Sequence, residues 1–215
     1  HYLLKVFYLH LCFFFFCFNT HQTQAADVTW QGTISNDWNM AGNWNTASVP
    51  SSLDVVYIDV VDISVAYYPV VSGIVPTVWR VEMDNETQLT IADGGQLTID
   101  ATACVNCKGF YIRPQATLTV EANAFLSIQN TEDYGLQNSK STIINNGTID
   151  ISNTIDHAWY NYTNGTDSGG ILVNNNGIIN FNNTTIFSRS RNSININIFF
   201  FCQFFSKWRN KYSFI

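Results

Sequence analysis

A chain of 215 residues that is 46% hydrophobic, 15% aromatic and only 12% charged has enough apolar material for a packed core, which excludes a disordered acidic or basic tail. Four prolines and twelve glycines exclude a collagen-like or proline-rich chain. All sixteen acids lie between Asp27 and Asp167, where only Arg80, Lys108, Arg113 and Lys140 oppose them. Sixteen acids against four bases leave that stretch twelve negative charges in excess, which repels phosphate backbones and argues against a nucleic-acid partner.

Residues 1–25 read as a secretory signal. Lys5 precedes an apolar run from Val6 to Phe18, interrupted only by His10, and Thr23 and Ala25 sit at the small-residue cleavage positions. Thirteen residues fall short of the ~20 that a membrane-crossing helix needs, so the expectation is a removed signal, with no membrane span in what remains and a retained anchor as the alternative. His1 stands where a start methionine is expected, which suggests a fragment.

Residues 27–87 form a segment rich in tryptophan. Trp30, Trp38 and Trp44 fall within fifteen residues, each beside Asn, Gly or Asp, and are followed by Val49-Pro50 and a strand from Asp54 to Val61. Two uses compete for these indoles and for Trp79: a platform for stacking sugar rings, or a buried plug over the end of a core. The plug is favoured, because the neighbouring residues suit turns. Glu82, Asp84 and Glu86 alternate, so in a strand they share a face and are candidate calcium ligands, against the alternative of a solvated acidic edge.

Residues 88–186 repeat a short grammar. Leu89-Thr90-Ile91, Leu97-Thr98-Ile99, Leu118-Thr119-Val120 and Leu126-Ser127-Ile128 alternate with the period of two that marks a strand with one buried face. Leu89 to Phe110 and Leu97 to Leu118 are both separated by twenty-one residues, which predicts two strands per coil and a return every twenty-one. Later, Asn145 to Ile151 matches Asn175 to Phe181 at a spacing of thirty, with Asp156 to Gly170 read as an inserted outer loop. No stretch has the 3.6-residue periodicity of a crossover helix.

These features predict an all-β, right-handed parallel β-helix (solenoid) of about five coils, closed by a tryptophan-rich N-terminal cap. Inward Leu and Ile stack from coil to coil, and Asn at the bends ladders between coils. An antiparallel β-sandwich is the alternative. Residues 187–215 carry five bases and no acid, and form an atypical tail that does not read as native sequence.

The order Trp30-x-Gly32, Asp37-Trp38, Asn43-Trp44, Val49-Pro50, Asp54-Val55-Val56, Tyr68-Pro69 and then the Leu-Thr-Ile triplets resembles the start of large secreted, cell-surface repeat proteins of Bacteroidetes type. These are similar to pectate-lyase-like β-helices and often carry adhesion modules and a C-terminal sorting domain. The resemblance, over residues 28 to 186, implies a surface or secreted protein without implying an enzyme, and no sorting domain follows.

Cys12 and Cys17 lie in the signal and Cys202 in the tail, leaving Cys104 and Cys107. One C-x-x-C pair cannot fill a tetrahedral zinc site. A local disulfide is favoured, with free thiols or a redox motif as alternatives. Asp156-His157 places a carboxylate beside an imidazole, but strand alternation would send the two side chains apart, so a loop pair without catalytic role is expected. No phosphate loop, nucleophile elbow or H-E-x-x-H is present, so no catalytic residues and no cofactor other than calcium are expected. N-x-[ST] sequons occur at Asn85, Asn146, Asn161, Asn164, Asn182 and Asn183; glycans on them require solvent-facing loops. The expected function is a secreted or cell-surface structural or adhesive module whose partners are extracellular polysaccharide or cell-surface components. The alternatives are the start of a β-helix polysaccharide lyase or hydrolase, and a glycan-binding module.

Overall fold

The computed structural model describes residues 26–59, 67–102, 104–162 and 170–184. The expected signal over residues 1–25, the tail, Cys12, Cys17, Cys202 and Asn164 lie outside the described residues. The chain enters through β1 (Asp27–Thr29) and passes the tryptophan-rich segment, which holds a single 3-10 turn at Ala41–Asn43. It then winds through β2 (Val55–Ile58) and β3 (Val70–Val71), followed by β4 (Arg80–Met83), β5 (Gln88–Ile91) and β6 (Gln96–Asp100). The next turn is β7 (Phe110–Ile112), β8 (Thr117–Val120) and β9 (Phe125–Gln129), and the next β10 (Tyr134–Ser139), β11 (Thr142–Asn145) and β12 (Thr148–Ser152). The last described turn is β13 (His157–Tyr162), β14 (Ile171–Asn174) and β15 (Ile178–Asn182).

Every ladder between these strands is parallel. They form three sheets: six strands in the order β1-β2-β4-β7-β10-β13, five in the order β14-β11-β8-β5-β3, and four in the order β15-β12-β9-β6. The chain is thus a parallel β-solenoid of about five turns with three strands per turn, and the antiparallel sandwich is excluded. The twenty-one-residue return does not hold. Leu89 stacks on Leu118, twenty-nine residues on, while Phe110 stacks on Val81 in a different sheet. The triplet Phe110-Tyr111-Ile112 obeys the same alternation as the Leu triplets, so periodicity alone does not reveal which side of the prism it joins; corner lengths decide it. Winding also begins at β2, well before residue 88. The thirty-residue match is a true register, with Ile149 over Ile179 and Ile151 over Phe181. Six of the fifteen residues expected to form an outer insertion, His157–Tyr162, are instead the strand β13, which completes the six-stranded sheet, while residues 163–169 lie outside the described residues.

The core is a set of columns. Leu89, Leu118, Ile143 and Leu172 form one column, and Leu97, Leu126, Ile149 and Ile179 another. Most members are fully buried, so each side chain contributes on the order of 1.5–3 kcal/mol of hydrophobic stabilisation. Corners need left-handed backbone, which Asn tolerates better than other non-Gly residues. Asn130, Asn153 and Asn183 take φ of 59°, 53° and 50° at equivalent corners. Their amides form a ladder starting at Asp100: Asn130 Nδ2 donates to Asp100 Oδ1 at 2.9 Å, Asn153 to Asn130 at 3.2 Å and Asn183 to Asn153 at 2.9 Å.

The cap is built from the three clustered tryptophans. Trp30 and Trp44 meet edge to face at 4.8 Å, and Trp38 and Trp44 at 4.9 Å. All three are buried within the same core as the columns. Gly32 sits at φ +55°, where a Cβ would fall 2.4 Å from the Tyr67 carbonyl oxygen and 2.8 Å from Trp30 Nε1. The glycine therefore clears the path for Trp30 Nε1 to donate to that carbonyl at 2.8 Å. Buried Asn43 ties the segment together, accepting from the Ile34 and Ser35 amides and donating to Ser35 Oγ and the Asp37 carbonyl.

Candidate binding face on the six-stranded sheet

Strand alternation assigns each residue of the six-stranded sheet to one side. Val56, Val81 and Phe110 stack inward, with Ile58, Met83 and Ile112 beside them. The intervening residues face outward and fall into a second register: Thr29, Tyr57, Glu82, Tyr111, Gln137 and Tyr160 are successive partners across the six strands. Tyrosines thus occupy every second rung, with a polar residue between.

The flanking residues are charged and paired with one another. Arg80 forms an ion pair with Glu82 and donates through Nε to the Lys108 carbonyl at 3.1 Å. Arg113 lies 3.6 Å from Glu82 and 3.8 Å from Asp84. Its guanidinium is 5.3 Å from the Tyr111 ring centre, and Lys108 Nζ is 4.3 Å from the same ring, within cation–π range. Burial, reinforced by Glu82 and Asp27, holds the Tyr57 phenol above its ordinary pKa, so it remains a neutral donor well into alkaline solution.

At one end of this face the aromatic character increases. Tyr134 stacks on Tyr160 at 4.4 Å with nearly parallel rings, and His157 meets both rings at an angle. Contrary to the expected divergence, His157 Nδ1 lies 2.8 Å from Asp156 Oδ1. Asp156 sits in the bend before β13, where strict alternation has not begun. Asp133, on the coil below, has its carboxyl raised above the ordinary range by burial and by the nearby Asp156, while Lys108 and His157 pull it down.

The other anticipated residues lie apart from this face or serve structure. Trp30, Trp38 and Trp44 expose no ring face to solvent, so the sugar platform proposed for them is not formed; large apolar rings at a solenoid end are worth more inside. Trp79 is half-buried against Ala101, Cys104 and Cys107 and borders a shallow depression with Arg80 and Lys108. Cys104 and Cys107 are disulfide-bonded. Of the candidate calcium ligands, Glu82 and Asp84 share the outer face but point to guanidinium groups, and Glu86 lies on the exposed left-handed turn beyond β4, at φ 63°. Among the described residues, no group of three or more His, Cys, Asp or Glu could hold a metal ion. Asn161 is buried, exchanging two hydrogen bonds with Gly170 at 3.1 Å, so its sequon is closed to a glycan in the folded protein. Sequence reasoning missed the tyrosine column, because Tyr57, Tyr111 and Tyr160 come together only in the three-strand register.

Among the described residues no helix is long and apolar enough to cross a membrane. A family model described as a domain of unknown function (DUF8693) matches residues 29–164, taking in the tryptophan cap and most of the coils together. No curated protein and no solved structure matches the chain.

Proposed function

We propose that this chain, which belongs to the DUF8693 family of domains of unknown function, is a non-catalytic structural and adhesive module of a secreted or cell-surface protein. The observation that carries this reading is the outer face of the six-stranded sheet: tyrosines in one register, flanked by paired charges, on a scaffold sealed by buried indoles. A rigid, repeating surface of half-exposed aromatics suits contact with extended polymers, because it loses little conformational entropy on binding. The signal-like residues 1–25 and the likeness to Bacteroidetes-type surface repeats and pectate-lyase-like β-helices support an extracellular setting. Adhesion of the folded domain to polysaccharide-coated or cell-wall-coated surfaces tests this reading. Retention above that of an unrelated β-solenoid is expected, and none on any surface overturns it.

A second reading, part of a β-helix polysaccharide lyase or hydrolase, draws on Lys108, Asp133 and the Asp156–His157 pair, which stack on three successive turns. There a carboxyl held toward its neutral form by burial and by Asp156 is stationed near a cation and an imidazole, the kind of pairing that acid–base chemistry uses. Chain scission lost in Asp133→Asn and in His157→Gln is the result that favours it over the adhesive reading.

A further inference from the structure

Resting on the adhesive reading, we infer that the ligand of the six-stranded face is a neutral, extended polysaccharide that lies across the strands, parallel to the solenoid axis, over Tyr57, Tyr111 and Tyr160. The three tyrosines share one outward register, with Glu82 between the first two and Gln137 between the second and third. Neighbouring parallel strands lie ~4.8 Å apart, so consecutive tyrosines are ~10 Å apart. An extended glycan covers that distance in about two sugar rings, so every second ring meets a phenol and the ring between meets a polar side chain.

Two further observations point to a ligand of this kind. Gln137 is 5% exposed, and its Oε1 has no hydrogen-bond partner, which leaves a buried acceptor unsatisfied at the centre of the column. Its Nε2 is engaged with Ser139 Oγ at 3.3 Å. A ligand hydroxyl, or a water held by one, supplies the missing donor. The charges on the face nearly cancel, with one acid in excess: Glu82, Asp84, Asp133 and Asp156 stand against Arg80, Lys108 and Arg113, and Glu82 and Asp84 are paired with the two arginines. A face without excess positive charge, on a protein of formal charge −6, gives a polyanionic chain no attraction. Paired carboxylates and guanidinium groups, in contrast, are good partners for sugar hydroxyls.

The test is a binding series on the folded domain. Immobilised neutral polysaccharides (a glucan, a xylan, a mannan and a galactan) are compared with polygalacturonate and alginate at low and high salt, and oligosaccharides of two, four and six rings of the best neutral binder follow. The inference expects retention on a neutral polymer that is insensitive to salt, and affinity that climbs as chains grow past two and then four rings. Tyr111→Ala and Tyr160→Ala each weaken binding about tenfold, while the remote Thr119→Ala does not. Far-UV circular dichroism confirms that the variants remain folded; a variant that unfolds is replaced by the corresponding Tyr→Leu. Retention only on polyanions with steep salt dependence, or tyrosine variants that bind as the parent does, overturns the inference. If surfaces still hold those variants, the adhesive reading survives the loss of this ligand assignment; if no surface holds the parent domain, both fall.

Discussion

Replacing Trp44 with Ala tests the buried-plug role of the tryptophan segment. Trp44 is 1% exposed, meets Trp30 and Trp38 edge to face, and donates Nε1 to the Trp38 carbonyl at 2.9 Å. Truncating a buried Trp costs about 3–5 kcal/mol through lost transfer free energy and the cavity left behind, and leaving the Trp38 carbonyl without its donor adds to this. Against a typical domain stability of about 5–15 kcal/mol, that is roughly a fifth or more. Urea unfolding followed by far-UV circular dichroism, which does not depend on the missing indole, should show a lower midpoint with little change in slope. Trp30→Ala combined with Trp44→Ala should then cost less than the two single losses together, because each single change already breaks the shared ring contact. A loss below about 1 kcal/mol, with polysaccharide retention falling instead, would refute the plug and return the indoles to the surface.

Other expectations follow from the same geometry. Asn153→Ala removes two rungs of the corner ladder at a left-handed position, so it should cost about 1–2 kcal/mol, whereas Asn153→Gly should cost less because the backbone strain is relieved; thermal unfolding compares them. Asp133 has a raised carboxyl pKa in the folded state, so its ionisation opposes folding as pH rises above the ordinary carboxylate range. Asp133→Asn should therefore stabilise the domain at neutral pH, with the gain disappearing in acid. Asp100 behaves the other way: burial pushes its carboxyl up, but hydrogen bonds from Thr102, Asn130 and Gln129 outweigh that and hold it below the ordinary range. Its contribution is present above the unfolded-state pKa and is lost as pH falls through the lower folded value, so Asp100→Asn should flatten the acid limb of the stability profile. Asn161→Gln should destabilise the domain, because the longer amide cannot reproduce the paired hydrogen bonds to Gly170; a hydrogen-exchange comparison across β13 and β14 would reveal it.

Much of the fold is legible in the sequence, for a clear reason. In Leu97-Thr98-Ile99 and Leu126-Ser127-Ile128 the buried residues alternate with small polar ones, and that pattern fixes both strand type and inward face. The repeated Asn-Gly corners at 146–147 and 176–177 give the correct thirty-residue register directly, because corner backbone constrains residue type more tightly than strand interiors do. The coil period is not legible where that signal is missing. Between Asp100 and Phe110 the corner is lengthened by the Cys104–Cys107 loop, and a count between look-alike triplets spans only two of the three sides of the prism. The candidate face is hidden for the same reason. Glu82 reads in the sequence as a calcium ligand or part of a solvated edge, and only the three-strand register turns Tyr57, Tyr111 and Tyr160 into one column with it.

The central claim is that the coils stack in parallel with Leu89 over Leu118, carrying Thr90 over Thr119 on the outside. Cysteines introduced in place of Thr90 and Thr119, in a background where the other cysteines are serine, measure this most directly. Adjacent parallel strands bring such Cα atoms to ~4.8 Å, inside the range a disulfide spans. Mild oxidation should join them rapidly within one chain, while Thr90→Cys with Tyr111→Cys, the pair a twenty-one-residue return would align, should stay open. Bond formation in the second pair and not in the first would contradict the account.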